Sequence, residues 1–534
     1  MLRTGRIGEA LALAKACVVG GGATGTALLW TLAQDPVVCQ RWQATLLHNG
    51  SALGGHSMTV PIDYRGVTIP VDIGVQFVAP MLYPNVAAML GLPEFQQRVG
   101  LTPFDVLEVA CAFPRNPHTG APRNWGNFPA YQHGPNFALY DADMAADAAR
   151  FQDFIEAALF LGWGERTLAD FFADPPIVLA DQQRFVDFLV SPYMSIMNGY
   201  GSADLDQVTF GDVVPLFATI PGLPTPLAAF TKPGTGWARF DPGSSTWVQT
   251  MSDLAQRTLT ADVRLGATVT AVWTDRETPG NPVHVVWTDA QGEHEETFDK
   301  VVLTTDMWTC AALLDNPHNA ALWRELYASY IDPAQWPLLP GACYIHTDET
   351  ILSPDLTEQL ETLQFTAYYA PTRAAPGYDL ARTFTTYILK NLLDDPAADG
   401  LYLTMYGDTA ENTRMPDPAS VLFSQTWTHG MWAASFMGGP KSSLHLAQGL
   451  GRFDYPGQRD TNVYFAGNNT TTDSEEGALD SAMAIANYAF GAKYPIPGAH
   501  PIAVAMFLIF YLDVMFPDAP LQHRLAAVRS LHQR

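Results

Sequence analysis

The sequence is poor in the residues that mark several large functional classes. Basic residues are scarce: 29 Lys and Arg stand against 54 Asp and Glu, a formal charge of −25 over 534 residues. So acidic a chain repels phosphate backbones, and nucleic acid is not expected as a partner; the charge reads as a solvated acidic surface. Cysteine is sparse as well. Its five copies, at 17, 39, 111, 310 and 343, form no CxxC pair. Neither a disulfide framework nor a zinc site is expected, and a reducing, cytoplasmic compartment fits. There is no Walker motif, nucleophile elbow, metal box or internal repeat. The C-terminal apolar run "IAVAMFLIFYL", Ile502 to Leu512, is too short for a bilayer, which needs ~20 residues in a helix. The start, "MLRTGRIGEALALAKAC", mimics a secretory leader. Glu9 and Lys15 interrupt its apolar stretch, and cleavage near Cys17 would cut into the motif that follows, so a leader is not expected. What is present is ordinary globular composition, 48% hydrophobic and 16% charged, and enough chain for several domain-sized units or two large interleaved ones.

Residues 16 to 25, "ACVVGGGATG", carry the first chemistry. An apolar strand runs into Gly20, Gly22 and Gly25, which fit GxGxxG, and a helix follows up to Asp35-Pro36. Gly20 permits a tight turn, Gly22 lets the backbone approach a pyrophosphate, and Gly25 lets the helix lie close to the strand. The turn residues Ala23 and Thr24 and the helix's positive end then face the phosphates. A second strand, "QATLLH", ends at His48, 23 positions after Gly25, where a dinucleotide fold places an acid for the ribose hydroxyls. A neutral imidazole accepts one hydroxyl where a carboxylate accepts two, and Asn49 offers a further acceptor. The expected fold class is α/β, opening on a Rossmann-like dinucleotide-binding domain.

A glycine doublet follows in "LGGHSMTV", residues 53 to 60. Together with the preceding strand–helix–strand unit it resembles the flavin amine oxidase superfamily, which also holds phytoene-desaturase-like and protoporphyrinogen-oxidase-like enzymes. More of that family's pieces occur in its order: "IPVDIGVQFV" (69 to 78), "RFDPGSSTWVQTMSDLAQRT" with "VRLGATVTAVWTD", "FDKVVLTTD" (298 to 306), and "NVYFAGNNTTTDSEEGALDSAMAIANYAFG" (462 to 491). "GGHSMTV", "LYPN" and "YIHTD" resemble a bacterial group of amine-oxidase-like FAD proteins, and the resemblance runs from residue 14 to 492. It implies non-covalent FAD. Gly54, Gly55, His56 and Ser57 would support the pyrophosphate. Gly74, Val75 and Gln76 would run beside the flavin, and the backbone near Val269 would touch the adenine. Gly467 and Asn468 would close the site, and a helix beginning around Gly477, Ala478 and Leu479 would point at the flavin N1/O2 edge. His48 stands where the family has Glu, and Asn468 where it often has an acid; both changes remove acceptors for FAD hydroxyls.

The resemblance implies an α/β fold in which a Rossmann-like FAD-binding domain, residues 14–95, 225–310 and 455–495, is interleaved with an α+β substrate domain of sheet and helices, 96–224 and 311–454, with 496–534 an apolar and basic tail. The first insertion reads as helical, with "YDADMAADAARFQDFIEAALFLG"; the second has strand-like runs, "GACYIHTD", "LQFTAYYA", "RTFTTYIL" and "GLYLTMYG". Both are rich in aromatics and Met, among them Phe151, Phe154, Trp163, Phe185, Tyr193, Trp427, Met431 and Trp432. Most are expected in the core, the rest along an apolar tunnel. The span "NNTTTDSEE" has no aromatic, where amine oxidases carry one cage residue. That favours a small apolar substrate, fatty-acyl or isoprenoid-like, from which the flavin takes a hydride. A redox-neutral double-bond isomerase, an amine oxidase, with Asp473, Glu475 or Glu476 pairing the cation, and a non-catalytic flavin-binding module are the alternatives. His429 and His346 are the candidate catalytic histidines; Lys232 and Lys390 are candidate partners of a water at the flavin; no metal is expected. Beyond Asp518 the tail holds three Arg, two His and no acid, so it either docks on the body or touches a membrane surface through 501–534.

Overall fold

The structure is a computed structural model. It describes residues 12–79, 82–104, 109–112, 125–126, 142–158, 161–185, 190, 193, 208–210, 237–331, 338–353, 363–370, 377–406, 414–430, 440–451, 459–467, 470–471, 474–516 and 521–531.

Apolar runs bounded by glycine build a five-stranded parallel sheet. Its strands are β1 (Ala14–Val19), β2 (Trp42–His48), β5 (Thr260–Leu265), β9 (Lys300–Leu303) and β15 (Val463–Phe465), in the order β15-β9-β1-β2-β5. β1 is buried from Ala16 to Val19, as a strand covered on both faces must be. One face is covered by α1 (Ala23–Ala33), α4 (Ser244–Thr258) and α6 (Glu475–Ile485), whose Leu28, Trp30, Trp247, Met251, Leu479 and Met483 share one core. The other face packs on α5 (Met307–Leu314) and an antiparallel sheet of β6 (Thr268–Thr274), β7 (Val283–Asp289) and β8 (Gly292–Phe298). β1 neighbours β2 on one side and β9 on the other, so the strand order reverses at the end of β1, where open α/β sheets bind ligands.

Between visits to this sheet the chain builds a second one. Its strands are β10 (Leu338–His346), β11 (Leu363–Ala370), β12 (Gly377–Ile388), β13 (Tyr402–Tyr406) and β14 (Val421–Gly430), in the order β14-β10-β13-β12-β11, antiparallel throughout. Val109–Ala112 and Trp125–Gly126 extend the β11 edge, the first of them in parallel. The predicted runs at 341–348, 363–370, 382–389 and 400–407 all fall in this sheet; β14 was not predicted. Helix α3 (Ala142–Ala158) lies within the predicted helical segment, and Phe151, Phe154, Trp163, Phe185 and Tyr193 are buried in one cluster. A hairpin, β3 (Thr59–Tyr64) and β4 (Val67–Asp72), joins that cluster through Ile62, Ile69 and Val71.

The tail docks on the body. Helix α7 (Pro501–Met515) buries Ala503, Phe507, Tyr511 and Met515 at four-residue spacing, against α6 and α2 (Pro84–Leu90). Helix α8 (Leu521–Ser530) follows. No described helix is long and apolar enough to cross a membrane.

Candidate active site

A cavity of about 600 Å³ opens at the carboxyl ends of β1 and β2 and reaches the second sheet. Its floor is the glycine loop. A Cβ on Gly25 would lie 2.0 Å from the Gly20 carbonyl oxygen, so only glycine lets α1 start this close to the strand. The doublet lies along that loop: Gly54 N–H donates to Gly21 C=O at 3.0 Å, and a Cβ on Gly55 would sit 3.1 Å from the Gly22 Cα. Helix α1 begins at Gly22 with no side-chain cap and no acid in its first turn, which leaves its positive end suited to an anion. The "VDIG" strand turns under the loop. A Cβ on Gly74 would meet the His56 carbonyl oxygen at 1.8 Å, so Gly74 is required for packing against the segment after the doublet. Asp72 accepts on one oxygen from Thr59 Oγ1, Ser244 N–H and Ser244 Oγ, tying the hairpin to α4; burial pushes its carboxyl up to about 6.

Of the predicted residues, Gly20, Gly22, Ala23, Thr24, His48, Asn49, Gly54, Gly55, His56, Ser57, Gly74, Val75, Gln76, Val269, Gly467 and Ala478 line the cavity. Gly25, Gly477 and Leu479 are not among the lining residues, and Asn468 lies outside the described residues. His48 requires a correction. Its Nδ1 accepts from Gly21 N–H at 3.2 Å and its Nε2 sits 2.9 Å from Ala52 C=O. This is the neutral Nε2–H tautomer, with both nitrogens committed to the chain, so the ring is not an acceptor for a ribose hydroxyl. Burial holds its pKa below the usual imidazole value.

Helix α6 starts two residues earlier than predicted. Ser474 caps it, with Gly477 N–H donating to Ser474 Oγ and Ala478 N–H to Ser474 C=O. The amides of Gly477 and Ala478 therefore close the helix's own first turn. Its two leading acids have separate tasks. Glu475 lines the cavity and accepts from Ser57 Oγ. Glu476 points away and accepts from Asn85 N–H, Asn85 Nδ2 and Val86 N–H, capping α2.

The opposite wall comes from the second sheet: Phe384, Thr385 and Tyr387 of β12, Met405 and Tyr406 of β13, and Trp427 and Thr428 of β14, with Gly341 of β10. Thr304, Thr305 and Asp306 after β9 and Phe77 and Tyr83 complete it. Of these, only Trp427 was singled out from sequence. His56 bridges the two sides, its ring meeting the Trp427 ring edge-on at 5.9 Å between centroids.

The candidate catalytic histidines fare differently. His346 does not line the cavity. It is buried in β10, where Nδ1 accepts from Asp348 N–H at 3.1 Å and Nε2 meets Thr404 Oγ1 at 2.7 Å; burial pushes it down to about 4. A ring so held is a neutral part of the sheet. His429 pairs with Leu339 along the β14–β10 ladder, next to Thr428 of the cavity wall; its side chain lies outside the described residues. Lys390 pairs with Asp399 at 2.8 Å on the surface, and Lys232 is not described. The described residues hold no cluster that could bind a metal.

The sequence pattern of flavin-containing amine oxidoreductases matches residues 42–489. The chain belongs to that family. It is an FAD-dependent oxidoreductase of amine-oxidase-like fold, and flavin is the family's cofactor. Among solved structures it is similar to cyclohexylamine oxidase from Brevibacterium oxydans IH-35A, at 13% identity and TM-score 0.52 over 88% of this chain and 97% of that one. It is also similar to an oxidoreductase from Methanosarcina mazei, at 12% identity and TM-score 0.51 over 88% and 99%. At these identities the likeness is one of fold. No curated protein matches the chain.

Proposed function

We propose that this flavoenzyme takes a hydride from carbon of an apolar, unsaturated, lipid-like substrate held against the second sheet. One observation carries the reading: a single cavity joins the glycine loop to an aromatic and thioether wall of Phe384, Tyr387, Met405, Tyr406 and Trp427. The residues suit FAD. Gly22, Gly54 and Gly55 leave backbone open to a pyrophosphate, and the uncapped start of α1 faces it. On this reading Val269 and Asn49 would meet the adenosine and Gly74, Val75, Gln76 and Ala478 the flavin; all six line the cavity. We assign residues 14–95, 225–310 and 455–495 to this half and 96–224 and 311–454 to the substrate half.

Bound FAD supplies a hydride acceptor; the chain supplies orientation and a dry wall. Rings of Phe384, Tyr387 and Trp427 exclude water and fix an apolar chain by contact area. Glu475, 4% exposed, is kept in place by Ser57. No Lys or Arg among the described residues lines the cavity, which disfavours an anionic head group there. A second reading, an amine substrate, rests on Glu475 and the Tyr387, Tyr406 and Trp427 rings, which together can hold a cation.

The test is anaerobic mixing of purified FAD-loaded protein with unsaturated fatty-acyl esters, isoprenoids and primary amines, following the flavin's visible band. Bleaching by the apolar compounds, reversed by oxygen or a quinone, is expected. Bleaching by amines alone establishes the second reading. A shifted double bond without consumption of oxygen or acceptor identifies an isomerase. Protein that stays colourless with added FAD removes all three.

A further inference from the structure

Helix α7 is apolar from Pro501 to Leu512, yet only one stripe of it is covered. Ala503, Phe507, Tyr511 and Met515 face the body, while Pro501, Ala505 and Ile509 form the opposite stripe, with Ile509 57% exposed. Ile502, Val504, Met506, Leu508, Phe510 and Leu512 flank that stripe half-exposed, and no charged residue occurs in the helix before Asp513, the next position of the row. Soluble helices place polar residues on such a face. Helix α8 continues the pattern: Leu521 and Leu525, one turn apart, are 72% and 44% exposed, and the next position of that row is the exposed Arg529.

Charge is sorted in the same way. In a chain of net −25, residues 519–534 contain Arg524, Arg529 and Arg534 and no acid. On α8 the apolar row ends in Arg529, and in a chain otherwise acidic that pairing fits an anionic, apolar-cored partner. A second copy of the chain would present the same arginines to themselves. Both helices are also fixed in place. Tyr511 Oη and Ser530 Oγ both donate to the buried Asn487 Oδ1, at 2.6 and 3.1 Å, and Asn85 Nδ2 donates to Ala503 C=O at 3.0 Å. The surface is therefore pre-formed. At 15 residues α7 is about 22 Å long, short of a bilayer core but sufficient to lie in its interface.

We propose that the α7–α8 pair is a monotopic docking surface for an anionic phospholipid bilayer, with the Pro501–Ala505–Ile509 stripe and Leu521 and Leu525 entering the acyl boundary and Arg529 at the headgroups. Phosphatidylcholine alone offers the apolar boundary without the charge, so it gives weaker binding. The test is flotation of the full chain with phosphatidylcholine vesicles and with phosphatidylcholine–phosphatidylglycerol vesicles. Wild type is expected to float with the second and to lose binding as salt is raised. Ile509→Asp with Leu525→Asp is expected to lower the partition coefficient about tenfold or more, with FAD content and melting temperature kept, since both positions are exposed. Arg529→Glu is expected to weaken binding to the anionic vesicles alone; should the aspartates disturb folding, this variant decides. Wild type that stays unbound to both vesicle types overturns the proposal, and so does undiminished flotation of the variants. A dimer in light scattering that the aspartates dissociate, without effect on flotation, assigns the face to a second copy and also overturns it.

Discussion

At His48 one ring does the work of two backbone partners. It accepts from the Gly21 amide and donates to the Ala52 carbonyl, and it packs so closely that a Cβ on Gly21 would lie 2.7 Å from its Cγ. Glutamate, usual there in the family this chain resembles, could accept from Gly21 but would leave Ala52 C=O without its donor. The imidazole thus props the phosphate loop rather than gripping a ribose. Its folded pKa is lowered by burial, so on acidification the unfolded chain takes the proton first. The stability it contributes is complete above the ordinary value of about 6.5 and is lost as pH falls from there toward the folded pKa. Protonated Nδ1 can no longer accept from Gly21. FAD affinity should therefore weaken at low pH, by about fivefold for one hydrogen bond of ~1 kcal/mol. His48→Leu should bind FAD weakly at every pH with a flatter profile. Quenching of FAD fluorescence measured from about pH 5 to 8 checks both; a wild-type dissociation constant that is constant over that range would show that the ring does not govern the loop.

At the level of the element, α6 shows what a sequence conceals. From sequence, Glu475 and Glu476 read as candidate partners of a substrate cation. Glu476 instead caps another helix, receiving three N–H donors from Asn85 and Val86. Spacing along one helix cannot disclose a partner 391 residues away in the chain. Asp480 lies one turn further on, fully buried, and neither of its oxygens has a hydrogen-bond partner among the described residues. Burial raises both carboxyls, Glu476 to about 7, and the charge of Glu476 raises Asp480 further. For an acid whose folded pKa is raised, stability is complete below the usual carboxylate range and is lost as pH rises through the folded value. The protein should melt lower at about pH 8 than at about pH 6. Asp480→Asn should remove most of that loss and add about 1–3 kcal/mol at the higher pH, since the carboxylate left of that pair, Glu476, has three N–H donors. Glu476→Gln should act in the opposite direction, because one amide oxygen cannot serve three donors. Calorimetric melting of the two variants at both pH values checks the opposite signs; equal shifts would mean the pair is not titrating.

Across the whole molecule, the legible parts were those whose signal is local. The GxGxxG turn, the doublet after β2 and the "VYFAG" strand each announce themselves within a few residues, because backbone approach demands glycine there. The cavity's far wall did not, since Phe384, Tyr387, Met405 and Tyr406 acquire their role only when β12 and β13 pair, and an aromatic in a strand reads equally as core. Strand β14, "VLFSQTWTHG", was missed because its burial alternates weakly and it lies at the sheet edge. The tail was legible in composition but ambiguous in packing, and the structure gives it both an inner and an outer face. Phe507, Tyr511, Met515 and Phe516 share a core with Leu479, Met483 and Tyr488 of the segment that borders the cavity. Burying each of those four side chains is worth about 1.5–3 kcal/mol, or roughly 6–12 kcal/mol together. That matches the ~5–15 kcal/mol by which a whole folded domain is stable. A chain ending at residue 499 should therefore lose its cooperative melting transition and its FAD together, whereas aspartate at the exposed Ile509 should cost it neither. Scanning calorimetry and the bound-flavin absorbance of the two proteins separate the outcomes. If the shortened chain melts like the full one and stays yellow, α7 is an appendage and its inner face contributes nothing to the fold.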